Sequence, residues 1–189
     1  MSAYTNLPDV QKEFIEKILY ILTKTGGIDY YRLFKVLYFA EREYLTTVCR
    51  KLVADDFCAL PHGPVPTRLF DAIKDAIKGG HYDDFSKAVG ESVSFAGEDA
   101  SNVLVPNRAP TLSMISKLEI DVIDRTIDKY ASLSFAELRR LSHGLAWNAT
   151  PRRGGVISSE NIAREGGLHP DALPYLRDQL DLYQYSLSM

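Results

Sequence analysis

The chain has 189 residues, enough for one domain of ordinary size or one domain with a small appendage. Hydrophobic residues make up 46% and charged residues 25% of the sequence, which excludes a disordered tail protein, a collagen-like repeat and a coiled-coil rod. With 22 Lys and Arg against 25 Asp and Glu the net charge is −3, so an overall positive field that would attract nucleic acid is absent, and nucleic acid is an unfavoured partner.

The cysteines and the N-terminus indicate the compartment. Cys49 and Cys58 lack the spacing of zinc ligands or of a disulfide framework, so we expect reduced thiols, no metal and no other cofactor. Residues 1–6 show no basic stretch followed by an apolar core, and the longest apolar cluster, residues 36–40, is far too short to cross a bilayer. We therefore expect a cytoplasmic protein that does not insert into a membrane.

The first 45 residues predict two helices. Apolar residues recur at helical spacing in the first, which the glycines at 26 and 27 close. Asp29 is placed to cap a second helix over residues 30–45. The middle of that helix, residues 33–40, is apolar on nearly every side, so we expect it at the centre of the core.

The next segment predicts a hairpin and then a helix. Stretches rich in β-forming residues at 52–53 and 57–60 flank residues 54–56, which favours a hairpin with its turn at the two aspartates of that connection. Pro64 and Pro66 are then expected in the first turn of a third helix, where backbone amides have no intrahelical partner.

Residues 81–110 lose the helical period. Alternating runs at 92–95 and 103–105 predict a second hairpin that forms one small sheet with the first. Two Ser-x-x-Glu patterns then predict helix starts.

The two patterns are Ser116 with Glu119 and Ser134 with Glu137, and each capping box is bracketed by an apolar pair that makes a hydrophobic staple. The short connection between the two helices predicts an αα-hairpin.

These elements predict a mainly α (α+β) chain: a single compact helical domain over residues 1–189 with a small antiparallel β element. A basic loop at 150–156, a short helix over 159–165 and a C-terminal helix within 170–189 complete it.

No self-contained catalytic motif is present. A nucleophile elbow, a zinc-protease helix and a phosphate-binding glycine loop are all missing from the sequence. His62 and His143 lie in separate segments, and each is better explained by a hydrogen bond to backbone or by a helix end. The residues thus favour a protein that is not an enzyme, and an uncharacterised hydrolase using His62, His143 and an Asp is the alternative.

A third possibility is a DNA-binding regulator. Its phosphate contacts would come from Arg139 with Arg140 and from Arg152 with Arg153. Arginine pairs on an amphipathic helix are more often its solvated face, which makes this interpretation the weakest of the three.

Two parts of the sequence together resemble the Panacea domain of SocA-like antitoxins and phage-associated proteins. The N-terminal part consists of residues 35–45, 56–59 and 62–66, and the C-terminal part is Leu-Ser-His-Gly-Leu-Ala-Trp at 141–147. The resemblance spans about residues 10–165. It implies a mainly helical domain with a small β element and no known enzymatic role.

The resemblance also implies a partner, a cognate toxin usually encoded in the neighbouring gene and neutralised by direct binding. In some relatives it implies delivery of the toxin to a ClpXP-type protease. We expect the contact surface to gather around the rigid turn of residues 62–66, because its prolines cost little entropy to hold in place. Tyr44 and Arg68 are candidate anchors beside it. The full set of expected partner-binding residues is Tyr44, His62, Gly63, Pro64, Val65, Pro66, Arg68, His143 and Trp147.

Overall fold

The structure is a computed structural model that describes residues 2–78, 80, 83–97, 102–151 and 154–187. Its α-helices are α1 (Asp9–Thr25), α2 (Tyr30–Val48), α3 (Thr67–Lys78), α4 (Asp84–Ser92), α5 (Lys117–Tyr130), α6 (Phe135–Ser142), α7 (Leu145–Asn148), α8 (Ser159–Glu165) and α9 (Leu173–Leu187). Its strands are β1 (Ile28–Asp29), β2 (Phe57–Leu60), β3 (Gly63–Pro66), β4 (Val93–Phe95) and β5 (Val103–Pro106). The predicted class, a mainly α chain with a small antiparallel β element, is confirmed.

Helix α2 forms the centre of the core, as predicted. Asp29 caps it by accepting a hydrogen bond from the Arg32 amide at 2.9 Å. Gly26, in the left-handed conformation with φ of 67°, ends the helix before it. Helices α5, α6 and α8 and strand β3 all pack on α2, which is why residues 33–41 are buried on every side.

The first hairpin differs from its prediction. Strand β2 pairs with β3, which contains both prolines, whereas residues 52–55 form a bend. Pro64 and Pro66 fit there because β3 is an edge strand, and no further strand among the described residues needs backbone N–H donors from its outer edge. The opposite edge of β2 forms backbone hydrogen bonds with residues 154–157. The expectation that the prolines open the third helix is therefore wrong, and α3 begins at Thr67.

The bend of residues 52–55 connects to two helices. The Leu52 and Val53 amides donate to the buried carboxylate of Glu41 on α2, at 2.7 and 2.9 Å. The Asp55 carboxylate accepts from the Arg68 and Leu69 amides in the first turn of α3. Asp55 thus caps a helix that starts 12 residues further along the chain.

The second hairpin is confirmed, but its surroundings are not as predicted. Strands β4 and β5 pair, and β1 joins them in the order β1-β5-β4, which makes a sheet separate from β2-β3. The prediction that both hairpins share one sheet is therefore wrong. The region predicted to lack helical period also contains α4, which Asp83 caps by accepting from the Ser86 amide at 2.7 Å.

Both capping boxes are confirmed. Ser116 with Glu119 starts α5, and Ser134 with Glu137 starts α6, each with the reciprocal pair of hydrogen bonds. The connection between the helices is short as predicted, but each of them packs mainly on α2. The short α8 and the C-terminal α9 also form as expected, and Leu176 of α9 is fully buried.

Cys49 and Cys58 are free thiols, the first buried and the second half-buried. Among the described residues, no cluster of three or more His, Cys, Asp or Glu side chains is arranged to hold a metal ion. Within the same residues, no helix has the length and hydropathy that a membrane span requires.

Candidate functional site

The turn of residues 60–66 and the segment of residues 141–147 meet on α2. The indole Nε1 of Trp147 donates to the carbonyl oxygen of Leu60 at 3.0 Å. The Nζ of Lys35, which projects from α2, donates to the carbonyl oxygen of Pro64 at 2.7 Å. We call these two segments together with Lys35 the junction. Both ends of the β2-β3 turn are thereby fixed by side chains from distant parts of the sequence.

Gly63 is the tightest point of the junction. Its φ of +101° lies in the region that side chains rarely adopt. A Cβ at this position would lie 2.5 Å from the Ser142 Oγ and 2.9 Å from the Lys35 Nζ. Because both the backbone and the space exclude a side chain, glycine is required there for the two segments to meet.

Lys35 is a buried cation without an ion pair. Its side chain is fully buried, and its Nζ lies 4.8 Å from the centre of the Tyr31 ring. In the described part of the chain, no carboxylate lies within ion-pair distance of it. Burial therefore lowers the pKa of Lys35 to about 7. Near neutral pH, the side chain of Lys35 therefore changes between its protonated and its neutral form.

His143 stacks on Trp147, with ring centres 3.9 Å apart and planes within 5°. Its Nε2 is buried, and no described side chain or backbone group hydrogen-bonds to it. Burial, followed by the positive charges of Arg139, Lys35 and His62, lowers the pKa of His143 below its ordinary value. At neutral pH the imidazole is therefore uncharged.

An aromatic pocket of about 440 Å³ opens beside the turn. Phe135 forms one wall, with its ring centre 4.4 Å from that of Tyr31 and 5.3 Å from that of His62. The Tyr31 hydroxyl donates to the carbonyl oxygen of His62 at 3.1 Å, which fixes the turn against this wall. The remaining lining residues are Asp29, Tyr30, Arg32, Phe34, Leu60, Pro61, Val65, Phe70 and Asn102.

Local sequence explains why Phe135 is exposed. Phe135 is the first residue of α6, directly after the capping Ser134. The staple residue Leu138 points into the core and is fully buried. Phe135 therefore points outward, and 46% of its surface is accessible. We did not predict Phe135 as a site residue. Its position between the capping Ser134 and the staple residue Leu138 could have indicated from the sequence that its side chain is exposed.

The structure brings some of the predicted site residues together and separates others. Residues 62–66, His143 and Trp147 lie in the junction, and Val65 also lines the aromatic pocket. Tyr44 is nine-tenths buried and lines a different cavity, beside Lys17. Arg68 lies outside the pocket lining, on the first turn of α3.

Arg68 has a surface ion pair of its own. Its guanidinium is 3.2 Å from the Asp83 carboxylate and 4.8 Å from the centre of the Phe85 ring. Its side chain is about half exposed, at 46%. The arginine therefore packs α3 against α4.

Glu165 of α8 holds the C-terminal segment in place. Its Oε2 accepts from the Ala146 amide at 2.8 Å, and its Oε1 accepts from Arg42 at 2.8 Å and from the Tyr38 hydroxyl at 3.1 Å. A Cβ at Gly144 would collide with this carboxylate. The position of α7, and with it that of Trp147, is thus set by a buried carboxylate outside both segments.

The geometry of the histidines bears on the hydrolase alternative. Within the described residues, neither His62 nor His143 hydrogen-bonds to an Asp or Glu side chain that would orient it as a base. For the DNA-binding alternative, Arg139 and Arg140 are exposed on α6. Arg152 and Arg153 lie outside the described residues.

Comparison with known families agrees with this geometry. Residues 33–148 match the family model described as antitoxin SocA-like, Panacea domain. The match covers more than half of the chain and contains the whole junction, so the chain belongs to this family. No curated protein and no solved structure matches the chain.

Proposed function

We propose that this protein is an antitoxin that neutralises a cognate toxin by direct binding at the junction and its aromatic pocket, without catalysing a reaction. The observation that carries the proposal is that the two characteristic segments meet beside an exposed aromatic wall. Membership of the SocA-like family supports the antitoxin role.

The pocket has the properties of a binding hot spot. Large aromatic side chains that are already rigid give up little entropy on binding and expose much apolar area. Phe135 is held by the cap of α6, Tyr31 by its bond to the turn, and His62 by the tight hairpin. The contact surface is therefore organised before a partner arrives.

The absence of catalysis is supported by the surroundings of His143. A general base works when a second group orients it and a substrate can reach its free nitrogen. Here the ring is stacked on Trp147 and its unbonded Nε2 is buried. We therefore assign His143 a packing role in the junction, and the same role to Trp147.

The proposed partner is the protein encoded in the neighbouring gene, and both proteins act in the cytoplasm. Simple occlusion of the toxin is the first form of the proposal, and delivery to a ClpXP-type protease is the second. The two differ in one observable: occlusion protects cells that lack the protease, whereas delivery requires it.

The test is coexpression with the neighbouring gene. We expect growth rescue and copurification by the wild type, and loss of both in Phe135→Ser and in a Trp147→Ala variant that remains folded. Tyr175→Ser on α9 is the matched control, since this tyrosine is 52% exposed and lies outside the family match.

A neighbouring product that is harmless, or that does not bind, would contradict the proposal. So would a substrate whose turnover disappears in a folded His143→Ala variant, because activity would then depend on the imidazole and not on the fold.

A further inference from the structure

An exposed arginine lies close to the aromatic pocket in a chain whose net charge is −3: Arg139 is on α6, one helical turn after Phe135 of the pocket wall. The charge of Arg139 acts on Tyr31, which lines the pocket, and on His143 of the junction. Asp29, the acidic residue of the pocket lining, is already paired with Arg32. Its charge is therefore not available to pair with Arg139.

Arg139 is exposed, and it has no acidic partner among the described residues. Several other exposed arginines of the protein are paired: Arg125 with Glu43 at 2.6 Å, and Arg164 and Arg177 with Glu160 at 2.6 and 3.0 Å. Arg139 and its neighbour Arg140 differ from these three arginines in having no carboxylate partner among the described residues, and Arg139 is the one placed one turn after Phe135.

We infer that the aromatic pocket receives an acidic peptide segment of the partner protein, with an aromatic or aliphatic side chain in the pocket and an Asp or Glu against Arg139. This inference rests on the proposed function and names the chemistry of the partner. The apolar walls exclude water from the inserted side chain. The planar guanidinium of Arg139 can donate two parallel hydrogen bonds to one carboxylate.

A peptide suits these features better than a nucleic acid. The open pocket of about 440 Å³ is lined mainly by aromatic and aliphatic side chains and has room for one or two side chains of a partner. A phosphate backbone would need several cations in a row, whereas the net charge of −3 repels it. An arginine next to an apolar cavity matches a carboxylate next to an apolar side chain.

The experiment is selection of a random 12-residue peptide library on the immobilised full chain. We expect enrichment of peptides that combine acidic residues with an aromatic or aliphatic residue. The best peptide is then synthesised, and its affinity is measured by fluorescence anisotropy. Both Arg139→Glu and Phe135→Ser should weaken binding at least tenfold, while Arg125→Glu, a charge reversal on another face, should leave it unchanged.

The inference would be overturned if no peptides are enriched or if the enriched peptides lack acidic residues. It would also be overturned if Arg139→Glu leaves the affinity for the best peptide unchanged. Binding of a 20-nucleotide DNA duplex that depends on Arg139 and falls steeply with salt would replace the peptide with a nucleic acid. Failure of the peptides with intact toxin rescue rejects this inference alone. Peptide binding without any rescue by coexpression rejects the proposed function alone.

Discussion

Two regions of the molecule handle buried charge in opposite ways. Where α1 meets α5, the Lys17 Nζ lies 2.6 Å from the Glu119 carboxylate and donates to the carbonyl oxygen of Leu52 at 3.0 Å. Glu16 nearby on α1 is equally buried and pairs with Arg108 at 2.6 Å. In the junction, Lys35 is just as buried but meets a carbonyl oxygen and an aromatic ring in place of a carboxylate.

The pKa values record this difference. Burial alone would raise the pKa of Glu119, but the Lys17 ion pair and the hydrogen bonds from Ser116 outweigh it and hold that pKa below its ordinary value. In the junction no described carboxylate offsets burial, and the pKa of Lys35 falls to about 7. In the first region paired charges hold helices together, whereas in the second the lysine has no acidic partner among the described residues.

The largest effect is expected from breaking the paired region. Lys17→Met would leave Glu119 buried without its cation, which costs about 3 to 5 kcal/mol. Urea unfolding measures this loss of stability. The double variant Lys17→Met/Glu119→Gln should recover most of it, because a Gln side chain can still accept the hydrogen bond from the Ser116 amide in the capping box. A loss below about 1 kcal/mol in the single variant would mean that the pair does not hold the helices.

The next effect concerns the closest approach in the junction. Gly63→Ala should cost about 2 to 4 kcal/mol, since backbone strain adds to the contacts with Ser142 and Lys35. The matched control is Gly97→Ala, where φ is also positive, at +77°, and no atom of the described residues, its chain neighbours aside, lies within 4 Å of the new Cβ. Equal losses in both variants would show that strain alone acts and that the junction is not tightly packed.

Lys35 itself should be visible in the pH dependence of stability. Its pKa of about 7 in the folded chain lies below the ordinary 10.5, so between these values the unfolded chain binds more protons. Stability should therefore rise with pH through this window, with a Lys35 contribution of up to about 1.4 kcal/mol per pH unit. It should fall as pH drops towards 7.

The comparison variant is Lys35→Met, measured by urea unfolding from pH 7 to pH 9. We expect its stability to rise less steeply than that of the wild type by the contribution of one titrating lysine. Identical slopes would show that the ammonium group is not desolvated in the folded chain.

The smallest effects are expected at the two helix caps. Ser116→Ala and Ser134→Ala should each lower stability by about 1 kcal/mol, because each removes one acceptor of a capping box. Denaturant melts check the loss. If either variant melts like the wild type, its helix does not depend on the box.

Signals within a few residues could be read from the sequence, whereas contacts between distant segments could not. The Asp29 cap and both capping boxes involve residues three apart, and all were predicted correctly. The prolines of β3 follow the rule for helix starts equally well, and only the pairing of β3 with β2 at a sheet edge decides against it. The cap that Asp55 provides for α3 depends on the same tertiary arrangement.

The site shows the same division. The two family segments could be recognised from sequence, but their meeting depends on Lys35, a single charge in an otherwise apolar stretch of α2. Such an isolated charge is itself a signal of an internal polar contact. Tyr44 could not be placed, because its burial depends on helices that are far apart in sequence.

Calorimetric titration of the purified chain with the protein encoded in the neighbouring gene is the most direct test of the proposed toxin-binding site. The aromatic wall should carry the complex, so Phe135→Ser should weaken binding at least tenfold, and Tyr175→Ser should bind like the wild type. Wild-type affinity in Phe135→Ser, with both variants melting normally, would contradict the assignment of the aromatic pocket as the toxin-binding site.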